Sequence, residues 1–375
     1  FQMAYSNHEQ DSFFGVRNYD INQRSFYSSL IYNSIIGSTL NKIKFGLNYS
    51  YDDFDETVDK KDVFYNRIDK SIGGFFEYSY DSMDAVSLVA GIRYDIHNNL
   101  GNFFTPRIHM RYQPFEKSVF RFSLGTGRKS SNIFSENQNI FATGREIKIL
   151  NNSGKFYGLD PEKAFNYGLS FRQGFFINNR EGDITFDYYV TDFDNQVVVD
   201  WETQGELSFY NLDGKSYAKS LQVDIEYQLI DNVLIKSTFK NFDVKKQYDS
   251  GLKQNPLTPK NRFFTNIEAS TNEKENGSKW KFDLTYNWIG TQRLPNHTEL
   301  ADFNGSSPSY SLINSQITRV YSDKFEIYIG GENIGGYTQS NPIIGGDPFG
   351  VDFDTSLIYA PIHKALFYVG LRFNN

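Results

Sequence analysis

The chain is 375 residues long, with 39% hydrophobic and 17% aromatic residues, 26 Tyr and 35 Phe among them, and a formal net charge of −7. Its mean hydropathy is −0.53, and it contains no apolar run of about 18 residues, which excludes a transmembrane helix. The lack of cysteine excludes disulfides, thiol chemistry and Cys-based metal sites, and the acidic balance argues against a nucleic-acid partner.

Taken in order, residues 1–6 read as the end of a strand and residues 8–23 as a long polar loop. Residues 25–36 and 41–51 pair around Gly37-Ser38-Thr39. In the second, Ile43, Phe45, Leu47, Tyr49 and Tyr51 share one face, with Lys42, Lys44 and Asn48 opposite. Residues 52–69 read as an acidic loop. Residues 68–80 and 85–96 form the next hairpin around Asp81-Ser82-Met83-Asp84, and 106–112 pairs with 118–127 across residues 113–117. A long Asn- and Ser-rich loop covers 129–161. Strands follow at 165–175 and 183–193, at 217–229 and 233–242, at 262–270 and 279–290, and at 310–320 and 324–331. A second long loop, rich in Gly and Pro, covers 333–364, and the last strand is 365–373.

The pattern is clearest in residues 279–290. Trp280, Phe282, Leu284, Tyr286 and Trp288 fall on one face, and Lys281, Asp283, Thr285 and Asn287 on the other. This period-two alternation marks a strand with one apolar and one wet side. It recurs along the whole chain, in units of about ten residues often ending in aromatics, separated by alternately short and long connections. Together these features point to an all-β fold, a transmembrane antiparallel up-and-down β-barrel with about sixteen strands present. Its short turns would face the periplasm and its long loops the exterior.

A charge facing lipid at mid-bilayer costs roughly 2–4 kcal/mol, so the charged face of each strand should look into the lumen. Val223, Ile225, Tyr227 and Leu229 are then expected to face lipid and Asp224, Glu226 and Gln228 the lumen. Phe165, Tyr167, Leu169 and Phe171 face out, with Asn166, Ser170 and Arg172 inside; Phe367, Val369, Leu371 and Phe373 face out, with Arg372 inside. One inward cluster is basic: Arg107, His109 and Arg111 on one strand and Arg121 on its partner, where the expected register sets Arg121 near His109. It is either charge-paired for solvation or an anion-guiding patch.

No catalytic constellation emerges. His8, His97, His109, His297 and His363 lie in separate segments without metal-ligand spacing; no phosphate-binding or nucleophile-elbow motif occurs, and no cofactor is expected. Asp52, Asp53, Asp55, Glu56, Asp59 and Asp62 could hold calcium or form a solvated loop, but lack the glycine and ligand order of an EF-hand. Ligand contacts are expected on the long loops, through Asn132 and Asn139 in the first and Tyr337, Phe349, Phe353 and Tyr359 in the last. Those aromatics either stack on a ligand or pack among themselves.

Several segments resemble the TonB-dependent outer-membrane receptor family. Leu159-Asp160-Pro161-Glu162-Lys163-Ala164-Phe165-Asn166-Tyr167-Gly168 is similar to its "L-x-P-E-x-x-x-N-Y" segment. Tyr210-Asn211-Leu212-Asp213-Gly214 with Ser220-Leu221-Gln222-Val223-Asp224 resembles "N-x-G … S-x-G-x-E", with Leu221 where Gly is usual. Glu332-Asn333-Ile334 resembles the "x-E-N-[IL]" after the penultimate strand, and Leu366–Phe373 the closing strand, here followed by Asn374-Asn375.

The resemblance implies that residues 1–375 are the C-terminal part of a barrel of about 22 strands, with the N-terminal plug, the TonB box and roughly six strands lying upstream. The opening residue, Phe1, agrees with a longer exported polypeptide. It also implies a receptor in the outer membrane of a Gram-negative bacterium, not an enzyme. Such a receptor contacts outer-membrane lipid, couples to TonB through the plug, and imports a scarce nutrient: a siderophore, haem, cobalamin, a glycan or a peptide. The alternatives are a passive porin of about sixteen strands and an outer-membrane enzyme or adhesin.

Overall fold

The computed structural model describes residues 1–58, 63–83, 85–150, 157–296, 305–347, 349–350 and 353–374. Its strands are β1 (Gln2–Phe14), β2 (Arg17–Ile36), β3 (Ser38–Val58), β4 (Val63–Asp81), β5 (Val86–His97), β6 (Gly101–Phe115), β7 (Ser118–Lys129), β8 (Glu146–Ile149), β9 (Glu162–Ile177) and β10 (Arg180–Asn195). They continue with β11 (Val197–Asp200), β12 (Glu206–Asn211), β13 (Ser216–Ile230), β14 (Val233–Tyr248), β15 (Gly251–Gln254), β16 (Asn261–Ser270), β17 (Lys279–Ile289), β18 (Tyr310–Ser322), β19 (Phe325–Glu332) and β20 (Leu366–Phe373).

β8, β11 and β12 form a separate 3-stranded sheet, and the rest make one 17-stranded sheet. Except for β15, a short return on the end of β14, each strand of the large sheet pairs antiparallel with its neighbour in sequence. The result is the up-and-down barrel sheet expected from the strand pattern. Among the described residues no ladder joins β1 to β20.

The turns at one end are tight. β9 and β10 reverse through Asn178 (φ 52°) and Asn179 (φ 61°), the left-handed pair that a two-residue hairpin needs if its twist is to match the strands. At the other end the connections lengthen, and so do some strands. β2, β3 and β4 have 20, 21 and 19 residues. At ~3.3 Å per residue they reach roughly 60–70 Å, far beyond an apolar band of about 25 Å.

These long strands correct two expectations. Residues 8–23 are not a loop: they lie in the β1–β2 hairpin, which turns at Gly15 (φ 65°). Residues 52–58 and 63–69 do not form an acidic loop either. Asp52, Asp53, Asp55 and Glu56 sit on β3, paired with Asp69, Ile68, Asn66 and Tyr65 of β4; Asp59 and Asp62 lie outside the described residues. The physical reason is that a strand above the bilayer needs no apolar outer face, so its alternation fades while its hydrogen-bond ladder continues.

Within the band the two faces separate as the charge argument requires. Leu169 is 51% exposed on the outer face and its neighbour Ser170, facing in, is 4% exposed. Phe367, Val369, Leu371 and Phe373 are all exposed outward, while inward Arg372 meets Glu326 of β19. Inward charges are largely paired, within a strand, as Arg93 with Asp95 on β5 at 2.6 Å, or across strands, as Arg172 with Asp183 at 3.1 Å and Glu77 between Lys44 at 3.0 Å and Arg107 at 2.5 Å.

Candidate functional site

The buried apolar residues concentrate at the long-loop end. The inward faces of the β2–β4 extensions carry Tyr19, Ile21, Phe54 and Val58. Against them pack Ile133, Phe134, Ile140 and Phe141, from the segment around a 3-10 helix (Ser135–Phe141), together with Tyr157 and Leu159. Leu207 and Phe209 of β12, with Val197 and Trp201, close the cluster. Aromatic contacts run through Phe134: its ring lies 5.3 Å from Tyr157, 5.4 Å from Tyr65 and 6.2 Å from Phe209. The connection between β7 and β9 is thus folded onto one wall of the barrel mouth.

A buried polar network fastens it there. Glu56, 1% exposed, accepts the Tyr19 hydroxyl at 2.9 Å and the Tyr157 hydroxyl at 2.5 Å. Arg67 donates to Tyr157 at 2.9 Å, pairs with Asp69 at 3.1 Å, lies 3.6 Å from Glu56 and reaches the side-chain oxygen of Asn132. Its guanidinium also stacks 4.1 Å over the Phe54 ring. Burial, reinforced by the Glu56 carboxylate, holds both phenols well above their ordinary range.

Two further hubs join the remaining loops. Arg145, 3% exposed, pairs with Asp354 of the last loop at 2.7 Å and donates to the carbonyls of Trp201, Thr203 and Glu206. Glu202 takes Lys253 of β15 at 2.8 Å and Arg293 at 2.7 Å, linking the β10–β13, β14–β16 and β17–β18 connections. Beside it, burial pushes the Tyr248 phenol up to about 12. A smaller core of Leu294, Ile344, Leu357, Tyr359 and Ala360 sits under the last loop.

The expected contact residues fall in different surroundings. Asn139 is exposed, whereas Asn132 is held by Arg67. Tyr337 stacks on Tyr310 at 4.9 Å with planes 4° apart, and Tyr359 lies in the buried core of that loop. Phe353 is half-buried with its carbonyl bonded to Gly144, and Phe349 is 67% exposed.

The basic cluster needs one correction. The register places Arg121 opposite Arg111 and sets His109 against Ser123, because a β-bulge between Tyr112 and Phe115 shifts the hairpin. Arg107 is bound to Glu77 and Arg111 to Gln113. Arg111 and Arg121 line a cavity of about 1180 Å³ at the tight-turn end, whose mixed-charge lining also carries Arg172, Lys281, Asp183, Glu226, Glu268 and Asp283. Among the described residues no three His, Asp or Glu side chains converge on a metal-binding geometry.

Sequence reasoning missed Arg145, Asp354, Glu202 and the grouping of Glu56 with Arg67 and Tyr157. Arg145 and Asp354 are 209 positions apart, and neither lies in a periodic segment, so no local signal connects them.

The sequence matches the family described as "TonB dependent receptor-like, beta-barrel" over residues 2–334. The chain belongs to this family. No curated protein sequence matches it. Among solved structures, this receptor barrel is similar to a mutant of the ferric enterobactin receptor PfeA from Pseudomonas aeruginosa. Identity is 13% and the TM-score 0.68, over 99% of this chain and 61% of that one. It is similar to the copper transporter OprC at 12% identity and TM-score 0.70, over 99% of this chain and 61% of that one. To the siderophore receptor PirA from Acinetobacter baumannii it has 13% identity and TM-score 0.62, over 95% and 55%. At these identities the likeness is one of fold, and the TonB-dependent receptor chain described here spans only 54–62% of the enterobactin-receptor chains it superposes on.

Proposed function

We propose that this chain is the barrel of an outer-membrane receptor that imports a scarce nutrient with energy from TonB. The observation that carries the reading is the match to the receptor barrel over residues 2–334, on a sheet with an apolar outer band and a loop-covered mouth. In this reading the barrel is a rigid wall, no bond is made or broken, and the long loops receive the ligand. Exposed Phe349 and Asn139 are the best placed of the expected contact residues.

The rest of the machine belongs to a longer polypeptide: a plug that contacts TonB, and further strands. Two facts support this. β1 and β20 are unpaired at their outer edges among the described residues, and open sheet edges are not viable in lipid. The chain also spans only about three-fifths of the PfeA chain. The charged cavity at the tight-turn end is then the seat of the plug. The nutrient is a siderophore, metal complex, haem, cobalamin, glycan or peptide, drawn from a class that such receptors handle. A passive porin of about sixteen strands is the competing reading, but nothing in a porin calls for loops knit by buried ion pairs.

The test is uptake by the natural polypeptide in a Gram-negative host with and without TonB. Growth on a limiting nutrient that requires both the receptor and TonB is expected. Growth indifferent to TonB, together with sugar permeation through liposomes holding the purified protein, would overturn the reading in favour of the porin.

A further inference from the structure

Arg145 uses its three nitrogens unequally. Nε donates to Asp354 Oδ2 at 2.7 Å, and Nη1 donates to the carbonyls of Trp201 at 3.0 Å, Thr203 at 3.4 Å and Glu206 at 3.2 Å. Nη2 is buried and has no hydrogen-bond partner. The other oxygen of Asp354, Oδ1, is engaged elsewhere: it accepts the Ser356 amide at 2.9 Å and the Ser356 hydroxyl at 2.5 Å.

A guanidinium binds a carboxylate best through two parallel N–H···O bonds. Here one of the two is made. Both side chains are 3% exposed, so Nη2 is shielded from bulk solvent, and a buried charged donor without a protein acceptor is costly. An orphan of this kind at the junction of three long loops calls for an explanation.

We propose that Arg145 is the receiving residue for an anionic ligand and that Asp354 is a displaceable stand-in. A planar carboxylate from the exterior takes Nε and Nη2 side-on, completing the pair that Asp354 leaves half made. Asp354 then withdraws while keeping its bonds to Ser356. The Trp201 ring, 5.4 Å from the guanidinium carbon, gives the incoming group a flat apolar wall.

Asp354 does not move alone. The seam beside it consists of the Gly144 amide on the Phe353 carbonyl at 2.6 Å and the Thr355 amide and hydroxyl on the Ala142 carbonyl at 3.2 and 2.7 Å. Displacing Asp354 parts this seam. The feet of the last loop stay pinned, because Asn333 Nδ2 donates to the carbonyls of Tyr337 at 2.8 Å and His363 at 3.1 Å. The exchange of one carboxylate for another therefore opens the span between them. This rests on the receptor reading only for the ligand's arrival from outside.

Malonate is the probe, titrated into the natural polypeptide in detergent at constant ionic strength, with chloride as the control. Hydrogen exchange is followed at the Gly144 and Thr355 amides. Malonate, but not chloride, is expected to raise exchange there saturably. In Asp354→Asn those amides should exchange at least tenfold faster without malonate, and the malonate affinity should rise about tenfold because the competing carboxylate is gone. In Arg145→Lys the response should vanish.

A flat malonate titration in the wild-type protein overturns the proposal. So does a response that survives Arg145→Lys, or an Asp354→Asn variant that binds malonate no more tightly. The Asp354→Asn arm decides even if Arg145→Lys fails to fold. None of these readouts involves transport, so a failure of TonB-dependent uptake would leave the site standing and sink only the receptor reading.

Discussion

Glu56→Gln tests how the mouth is closed. In the native protein the Glu56 carboxylate is 1% exposed, accepts two phenol hydroxyls and faces Arg67 at 3.6 Å. Glutamine keeps the shape and one acceptor oxygen, but presents an amide donor to a second hydroxyl and removes the charge. Hydrogen bonds to a charged group contribute about 1.5–3 kcal/mol, and breaking a buried pair from one side costs about 3–5 kcal/mol. Arg67 keeps Asp69 at 3.1 Å, and a phenol can rotate to accept from the new amide, so the lower end applies: about 2 kcal/mol. At 1.4 kcal/mol per factor of ten this is roughly a 30-fold rise in the open population of the segment held by Tyr157. Hydrogen exchange at the Tyr157 and Leu159 amides reads it directly, with the β17 amides as the reference for the barrel. A rise under about threefold at Tyr157 and Leu159 would refute the view that the polar network, rather than the surrounding aromatic core, fastens the loop. An equal rise in β17 would show that the whole sheet, not the loop, had been destabilised.

Other outcomes follow from the same geometry. Phe134→Ala, at 1% exposure, should cost about 3–5 kcal/mol and release the 3-10 segment to protease while the barrel stays resistant to heat in detergent. Leu284→Arg, on the lipid face of β17, should cost roughly 2–4 kcal/mol in urea unfolding from vesicles, whereas Thr285→Arg, one residue on and facing the lumen, should cost under about 1 kcal/mol if the face assignment holds. His97, at the loop end of β5, accepts the Asn99 and Leu100 amides on Nδ1 at 3.1 and 3.2 Å, and burial lowers its pKa. The unfolded form therefore binds more protons, so the turn at 98–100 should be firm above pH of about 6.5 and loosen as the pH falls below it; His97→Gln should flatten that dependence in exchange measurements.

What the sequence revealed and what it hid have physical causes. In the bilayer, alternation is enforced by solvent: lipid on one side and water on the other sort residues such as Leu169 and Ser170 onto opposite faces, and the pattern is visible in the chain. Above the bilayer water bathes the outer face, so Asp53 and Asp55 of β3 point outward without penalty and read as loop. The register of β6 on β7 was hidden because a bulge moves every partner along. The mouth was the least legible part. Its apolar core joins Tyr19 to Phe134 and Phe209, and its hubs join Arg145 to Asp354, pairings made by folding and not by spacing.

The two kinds of fastening in the mouth differ in what can undo them. The core on β2–β4 is aromatic and dry. Separating it exposes Tyr19, Phe134, Phe141 and Phe209 to water at about 25 cal/mol per Å², and no solute substitutes for the lost contacts. The seam between the first and last long loops rests instead on one ion pair and three backbone-directed hydrogen bonds. A buried ion pair contributes little net stability relative to a well-packed alternative, yet it is very sensitive to a competing charge. An anionic solute can replace one partner and keep Arg145 matched, while the displaced Asp354 carboxylate retains its bonds to Ser356. Motion at the mouth should therefore begin at Arg145 and Asp354, with the aromatic core remaining on its wall as the fixed half against which the last loop opens.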